Sequence, residues 1–147
     1  MQPIPLPTTK MHKVFVYGSL RHGFNNHGLL QQHNAKHICN GRLLSNDEEN
    51  VVDGQAKFFT MTRYSSGFPA VYKFDKHPGE WFSDIVGEVY EVDDEGLFSL
   101  DILESHPHWY KREEVRIAKN GTMNEDGDYE YVTAWGYIMQ GELQGQQ

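Results

Sequence analysis

Cysteine is almost absent from this chain of 147 residues, because Cys39 is its single thiol. A disulfide within the chain is therefore excluded, and a reducing compartment is the simplest expectation. Long apolar runs are missing as well, since no stretch approaches the ~20 residues that a membrane-spanning helix needs. These absences favour a cytoplasmic protein that has no membrane as a partner.

Positive charge is also scarce. The sequence has 13 lysine and arginine residues against 21 aspartate and glutamate residues, which gives a formal net charge of -8. An acidic surface repels phosphate backbones and anionic lipid headgroups. We therefore expect no nucleic-acid partner and no docking on membranes, while the sequence does not indicate an oligomeric state.

What the chain does contain is enough apolar material for one core. Hydrophobic residues make up 38% and aromatic residues 13% of the sequence, and this length suits a single domain. We expect that domain over residues 13–141. The arm at 1–12 has three prolines and no apolar segment of the secretory-signal type, and we expect it to be flexible or laid on the surface, with a fraying tail at 142–147.

Short strand-like segments dominate the hydrophobic pattern, and they do not alternate regularly with helices. This organisation predicts an α+β fold, a small mixed β-barrel-like sheet with packed helices. A polar loop is predicted over 47–55. Two helices are predicted, at 25–35 with a cap at Asn25 or Asn26 and at 93–105 with a cap at Asp93 or Asp94. The predicted strands are 13–18, 37–45 with an interruption at Asn40-Gly41, 56–64, a segment after Gly67, 85–92, 110–119 and 129–140.

A short motif, Tyr17-Gly18-Ser19-Leu20, follows the first predicted strand. A glycine directly after a strand lets backbone N–H groups converge on one point, and a helical turn beyond it adds the positive end of its dipole. Ser19 adds a possible hydroxyl donor. The motif therefore indicates either a site for a carboxylate, phosphate or oxyanion, or an ordinary tight turn.

Glu104 lies at the end of the second predicted helix, where its spacing of i+4 and i+7 from Leu100 and Leu97 places it on the same face as these residues. That face should be buried. Burial and a helix C-terminus both raise the pKa of a carboxyl group, which suits a general acid and base near neutral pH. The alternative is a glutamate that reaches solvent or pairs with Lys111 or Arg112.

Histidine is plentiful, but its spacing gives little support for a metal site. His33 and His37 lie four residues apart, and His106 and His108 flank a proline, yet no HExxH pattern or cysteine partner accompanies either pair. We therefore expect no metal. Cys39 has no candidate base beside it in the sequence and is interpreted as a small core residue.

Two separated stretches, "VFVYGSLRHGFNNHGLL" and "VGEVYEVDDEGLFSLDILESHPHWYKREEV", resemble the gamma-glutamylcyclotransferase-like superfamily. They are most similar to the branch of gamma-glutamylamine cyclotransferases. The resemblance covers roughly residues 13–30 and 85–117, with both motifs in the family's order. Ser19 stands where the branch usually has threonine, which keeps the hydroxyl, and residues 43–82 resemble the family only loosely.

This resemblance implies a barrel-like α+β fold with one pocket. We expect no cofactor. Glu104 matches the family's general acid and base. Tyr110, which by itself is either a ligand-binding hydroxyl or a packed aromatic, and Arg112 match the tyrosine and arginine that follow that glutamate. The implied substrate-binding residues are Tyr17, Gly18, Ser19 and Leu20, through backbone amides, together with Tyr110 and Arg112.

The implied reaction is an intramolecular aminolysis of a small gamma-glutamyl amine or gamma-glutamyl amino acid, which releases 5-oxoproline and a free amine. The substrate supplies its own nucleophile, which explains why the sequence shows no catalytic triad. A related enzyme that removes a gamma-glutamyl protecting group would use the same residues. A different class, a non-catalytic module that binds a small metabolite or a nucleotide-like ligand in the same pocket, is the main alternative.

Overall fold

The fold was analysed in a computed structural model, which describes residues 10–17, 27–44, 50–52, 55–63, 69–74, 84–104, 106–120 and 125–139. The predicted arm at 1–12 and the tail at 142–147 lie almost wholly outside these residues. Nine strands and two helices occur in the described part of the chain. They are β1 (His12–Val16), α1 (His27–Gln32), β2 (Lys36–Leu43), β3 (Val51–Val52), β4 (Gln55–Ala56), β5 (Phe58–Arg63), β6 (Pro69–Phe74), β7 (Ile85–Val92), α2 (Asp94–Leu103), β8 (Tyr110–Lys119) and β9 (Tyr131–Met139).

Five of the strands form a closed barrel in the order β1-β7-β2-β8-β9. Neighbouring strands are antiparallel except at the closure, where β1 pairs with β9 in parallel. Two further antiparallel ribbons, β3-β4 and β5-β6, stand apart from the barrel sheet. The predicted α+β class with a mixed, barrel-like sheet is therefore confirmed.

Most predicted elements lie within two residues of the bounds that the sequence pattern gives, and three features differ more. Helix α1 ends at Gln32 rather than at residue 35, because Asn34 adopts a positive φ of 54° and turns the chain toward β2. The polar segment 47–55 contains β3 and the start of β4, which pair with each other. In β2 the irregularity falls between His37 and Cys39, while the predicted break at Asn40-Gly41 is continuous strand.

Strand alternation divides the apolar side chains into two clusters. All five barrel strands contribute to the interior cluster, as alternation requires of a closed sheet. Its members are Phe15, Leu43, Ile85, Val89, Val115, Ile117, Ala134 and Ile138, joined by Phe59 and Val71 from the β5-β6 ribbon. The outer cluster packs the opposite strand faces against the helices, and it contains Val14, Val16, Leu30, Tyr72, Tyr90, Val92, Leu97, Leu100, Tyr110, Tyr137 and Met139.

Close approach of β1 to β7 depends on Gly87. A Cβ atom at this position would lie 2.4 Å from the backbone oxygen of Val16 and 2.6 Å from Cζ of Phe15. Both contacts are far below van der Waals distance. Glycine is therefore required where the two strands pass each other.

The β5-β6 ribbon brings a charged pair to the barrel wall. Lys73 Nζ donates to Glu113 Oε1 at 2.6 Å, and Glu113 is only 5% exposed. A buried carboxylate needs such a partner because its desolvation is costly. Both helices of the described part of the chain are too short and too polar to cross a membrane.

Candidate active site

Glu104 ends α2, and local interactions fix both ends of this helix. Asp93 caps the start by accepting the N–H of Gly96 at 2.8 Å, as the sequence predicts. At the other end, the N–H of Glu104 donates to the backbone oxygen of Leu100 at 3.0 Å. The predicted buried stripe is present, since Leu97 and Leu100 are buried.

Burial raises the pKa of the Glu104 carboxyl group to about 7. The group is mostly removed from water, and solvation is what normally stabilises the carboxylate form. Its position at the negative end of the helix dipole acts in the same direction. Glu104 can therefore give up or take a proton near neutral pH.

Two tyrosine hydroxyls lie near this carboxyl group. Tyr17 directly follows β1, and its hydroxyl donates to the backbone oxygen of Tyr137 at 2.7 Å. Burial raises the pKa of Tyr17 well above its ordinary value, with further contributions from Tyr110 and Glu104 and a partial offset from the backbone N–H of Val71. Tyr17 therefore stays a neutral hydroxyl at physiological pH.

Tyr137 is the second hydroxyl, and it is held by Asp101. Its hydroxyl donates to Oδ1 of Asp101 at 2.7 Å. Burial raises the pKa of Tyr137 far above its ordinary value, and Asp101 raises it further through this hydrogen bond and its charge. Arg112 acts in the opposite direction, and Glu104 adds a smaller increase. The charge of Glu104 thus acts on both hydroxyls, so the three side chains interact electrostatically.

Arg112 joins the same group through Asp101 rather than through Glu104. Its Nε donates to Asp101 Oδ1 at 2.7 Å, in an ion pair whose side chains are 21% and 16% exposed. The sequence left open an ion pair between Glu104 and Arg112. In the structure Arg112 pairs with Asp101 instead. The guanidinium also stacks over the ring of Trp135, with its Cζ 4.8 Å from the ring centroid.

Tyr110 ties the helix end to the sheet. Its N–H donates to the backbone oxygen of Glu104 at 3.3 Å, and its side chain is buried in the outer cluster. The turn between them contains a cis peptide at His106-Pro107. Two more hydrogen bonds stabilise this turn. The N–H of His106 donates to the backbone oxygen of Asp101 at 2.9 Å, and the N–H of Arg112 donates to Nδ1 of His106 at 3.0 Å.

The structure thus brings together four of the predicted site residues, Tyr17, Glu104, Tyr110 and Arg112. Arg112 is connected to the others through its bond to Asp101. Gly18, Ser19 and Leu20 lie outside the described residues, so their predicted role as an anion cradle stays a prediction. The sequence reasoning missed Asp101 and Tyr137. A signal existed for Asp101, since it is a carboxylate on the face shared by Leu97 and Glu104, but none existed for its pairing with Tyr137, 36 residues away.

Neither the histidines nor the cysteine forms a competing centre in the part of the chain that the structure describes. No group of three or more His, Cys, Asp or Glu side chains there could hold a metal ion. Burial raises the pKa of Cys39, and the charge of Lys119 offsets this only in part. A thiol with a raised pKa is a poor nucleophile at neutral pH. Cys39 is only partly buried and packs against the interior cluster, so the prediction of a core residue is not met in full.

The fold and the site define a small α+β barrel protein in which a carboxyl group with a raised pKa lies near neutral tyrosine hydroxyls. A family model described as gamma-glutamyl cyclotransferase, AIG2-like, matches residues 14–147. The chain belongs to this family, and the resemblance found in its two sequence motifs is confirmed.

Individual relatives agree with this assignment. A protein of Methanocaldococcus jannaschii, named provisionally as a gamma-glutamylcyclotransferase, is 39% identical over 107 residues, which are 73% of this chain and 72% of the relative. Gamma-glutamylaminecyclotransferase C of Danio rerio is 31% identical over 136 residues, covering 86% and 76% of the two chains. The crystal structure of a mouse AIG2-like protein matches with a TM-score of 0.63 at 22% identity, covering 88% of this chain and 77% of that one, and it confirms the fold.

Proposed function

We propose that this protein is a gamma-glutamyl cyclotransferase that cleaves small gamma-glutamyl amines or gamma-glutamyl amino acids, with Glu104 as general acid and base. The observation that carries the proposal is the Glu104 carboxyl group, whose burial raises its pKa to about 7. Family membership supplies the reaction class. The relative named gamma-glutamylaminecyclotransferase supports amines as one group of substrates.

The proposed reaction needs one group that both accepts and returns a proton. The substrate's α-ammonium loses a proton to Glu104, and the free amine attacks the γ-carbonyl carbon of the same molecule. A carbon–nitrogen bond forms in the five-membered ring, and the original amide bond breaks. The ring nitrogen keeps one of the three ammonium protons, and the other two end on the leaving amine, so 5-oxoproline and a protonated amine result.

A group that both accepts and returns a proton works best when its pKa lies near the working pH. A carboxyl group with an ordinary pKa would be ionised at pH 7, but it is too weak a base to accept a proton efficiently and would seldom be protonated to return one. A pKa of about 7 leaves Glu104 populated in both forms, which favours transfer in each direction. The low-polarity surroundings also strengthen its attraction for the substrate ammonium.

The remaining residues would bind and orient the substrate. The hydroxyls of Tyr17 and Tyr137 remain protonated and interact electrostatically with Glu104. Each already donates its single proton, to the backbone oxygen of Tyr137 and to Asp101, so their proposed role is to fix the wall of the site around Glu104. The loop of Gly18, Ser19 and Leu20 is proposed, from the family resemblance, to hold the glutamyl group. Arg112 is proposed to act on the site by fixing Asp101.

The direct test is release of 5-oxoproline from a panel of gamma-glutamyl amines and gamma-glutamyl amino acids. We expect turnover by the wild type and a loss of at least about 10²-fold in kcat for Glu104→Gln, the scale of general acid–base catalysis. Glu95→Gln is the matched control, since Glu95 lies exposed in the first turn of the same helix. Wild-type protein that releases no 5-oxoproline from any substrate, or Glu104→Gln with full activity, would refute the proposal.

The same panel separates catalysis from simple binding. Calorimetry with the substrates, followed by mass spectrometry of the recovered ligand, shows whether a bound molecule has been converted. Recovery of intact substrate after saturation would favour the binding module. Recovery of 5-oxoproline and amine supports the enzyme, and the ratio of kcat/KM values across the panel identifies the preferred leaving group.

A further inference from the structure

An ion pair lies one helical turn before the candidate acid–base residue. Asp101 precedes Glu104 by three positions at the end of α2, and residues three apart on a helix share a face, with their Cβ atoms about 5–6 Å apart. Oδ1 of Asp101 accepts a hydrogen bond from Nε of Arg112 at 2.7 Å. A negative and a positive charge are therefore held close together beside Glu104.

The hydroxyl of Tyr137 interacts with all three of these charges. It donates to Oδ1 of Asp101 at 2.7 Å. Beyond the effect of burial, the charges of Asp101 and Glu104 raise the pKa of Tyr137, and the charge of Arg112 lowers it. One oxygen atom thus lies within electrostatic range of the ion pair and of Glu104, so the pair and Glu104 share one largely desolvated environment.

The other titratable groups on the elements around this end of α2 are mostly tyrosine hydroxyls. Among the described residues, Glu88 accepts the hydroxyl of Tyr90 at 3.3 Å, Glu114 lies exposed further along β8, and Nδ1 of His106 accepts the N–H of Arg112. The tyrosines of the two apolar clusters are Tyr17, Tyr72, Tyr90, Tyr110 and Tyr137. Asp101 and Arg112 are the charges that act on Tyr137 together with Glu104.

Both members of the ion pair are fixed in place, so their opposing effects on Glu104 offset each other. Their side chains are only 21% and 16% exposed, and the guanidinium of Arg112 also lies over the ring of Trp135. Alone, the carboxylate of Asp101 would disfavour the ionised form of Glu104, and the guanidinium of Arg112 would favour it. With the two effects balanced, burial remains as the cause of the raised pKa of Glu104.

We propose that Asp101 and Arg112 are positioning residues, which form a charge-neutral pair and keep the electrostatic field at the Glu104 carboxyl group close to zero. Asp101 also holds the hydroxyl of Tyr137, so the same carboxylate fixes the wall of the site and balances its charge. The consequence for turnover rests on the proposed function. The consequence for the titration of Glu104 does not, so the two can fail separately.

The titration of Glu104 can be followed directly by NMR of its side-chain carboxyl carbon in the full, ¹³C-labelled chain, and loss of the signal in Glu104→Gln assigns it. Asp101→Asn leaves Arg112 without its counter-charge, so the midpoint should fall by about one pH unit. Arg112→Gln leaves Asp101 without its counter-charge, so the midpoint should rise by about the same amount. Arg112→Lys keeps the charge, and the double variant Asp101→Asn/Arg112→Gln removes both charges, so both should titrate close to the wild type.

Matched controls remove the same charges from exposed positions. Glu95→Gln in the first turn of α2 and Lys13→Gln in β1 should leave the midpoint of Glu104 unchanged. Unmoved midpoints in Asp101→Asn and Arg112→Gln, or shifts in the same direction in both, would overturn the proposal, because the latter would reflect altered burial rather than charge. If Asp101→Asn does not fold, Arg112→Gln compared with Arg112→Lys tests the same balance.

The pH dependence of kcat/KM for 5-oxoproline release gives the second readout. Under the proposed function, its midpoint should move with the NMR midpoint in each variant, down for Asp101→Asn and up for Arg112→Gln. A rate profile that stays fixed while the NMR midpoint moves would overturn the role of the pair in the reaction. NMR shifts of the expected sign in a protein without turnover would support the charge balance and refute the proposed function.

Discussion

Replacing Glu104 with glutamine should stabilise the folded protein at pH 8 and leave its stability at pH 4 unchanged. The pKa of this carboxyl group is raised from 4.5 to about 7 in the folded state. Below pH 4.5 the group is protonated in both the folded and the unfolded chain. Between pH 4.5 and 7 the folded state binds more protons, so the free energy of unfolding falls as the pH rises. Above pH 7 this decrease in the free energy of unfolding is complete.

The size of this loss follows from the same two values. At roughly 1.4 kcal/mol per pKa unit, the difference between 4.5 and about 7 corresponds to about 3 kcal/mol. Glu104 keeps some contact with water, so we take about 2 kcal/mol as the expected gain on substitution. For a domain of this length such a gain raises Tm by about 4–8 °C at pH 8.

Urea unfolding of the wild type and Glu104→Gln at pH 4, 5, 6, 7 and 8 measures the effect directly. The two free-energy curves should coincide at pH 4 and separate between pH 5 and 7. Glu95→Gln should show no such separation, and a slight loss at pH 8, because its carboxylate interacts favourably with the N-terminal end of α2. Parallel curves for Glu104→Gln and the wild type would refute the buried, titrating carboxyl group that the mechanism needs.

Two further predictions concern the barrel. Lys73→Met should lower the free energy of unfolding in urea by about 3–5 kcal/mol, because it leaves the carboxylate of Glu113 buried without the ammonium that is now 2.6 Å away. The double variant Lys73→Met/Glu113→Leu should recover most of this loss. An equal loss in both variants would contradict this explanation. Gly87→Ala should lower stability by at least about 2 kcal/mol, since its Cβ would lie 2.4 Å from a backbone oxygen of the facing strand. Gly28→Ala, which meets nothing within 4 Å, is the control, and equal stability of the two variants would show that the strand contact is looser than described.

Local periodicity was sufficient to predict the parts of the site that lie within one element. The spacing of Leu97, Leu100 and Glu104 depends only on the geometry of a helix, and it identified the acid–base candidate. Strand β8 has the same bounds in the sequence pattern and in the structure. The cap at Asp93 was also predictable, because its bond to Gly96 joins residues three positions apart.

Contacts between elements were not predictable from this single sequence. The sequence offered Glu104 as the carboxylate partner of Arg112, whereas in the structure Arg112 pairs with Asp101, and this choice depends on how β8 crosses α2. Tyr137 lies in an apolar strand whose pattern gives no indication that its hydroxyl reaches Asp101. The short β3-β4 ribbon was missed because two-residue strands are too short to show alternation.

The parallel closure of the barrel has a consequence for the order of folding. Val14 is paired with Trp135, and the hydroxyl of Tyr17 is bonded to the backbone oxygen of a residue 120 positions later. Contacts across such long loops form late, because closing the loop costs entropy before any contact compensates. A nascent chain therefore cannot assemble the environment of Glu104 until β9 has left the ribosome. Substrate binding would report that this last strand has docked.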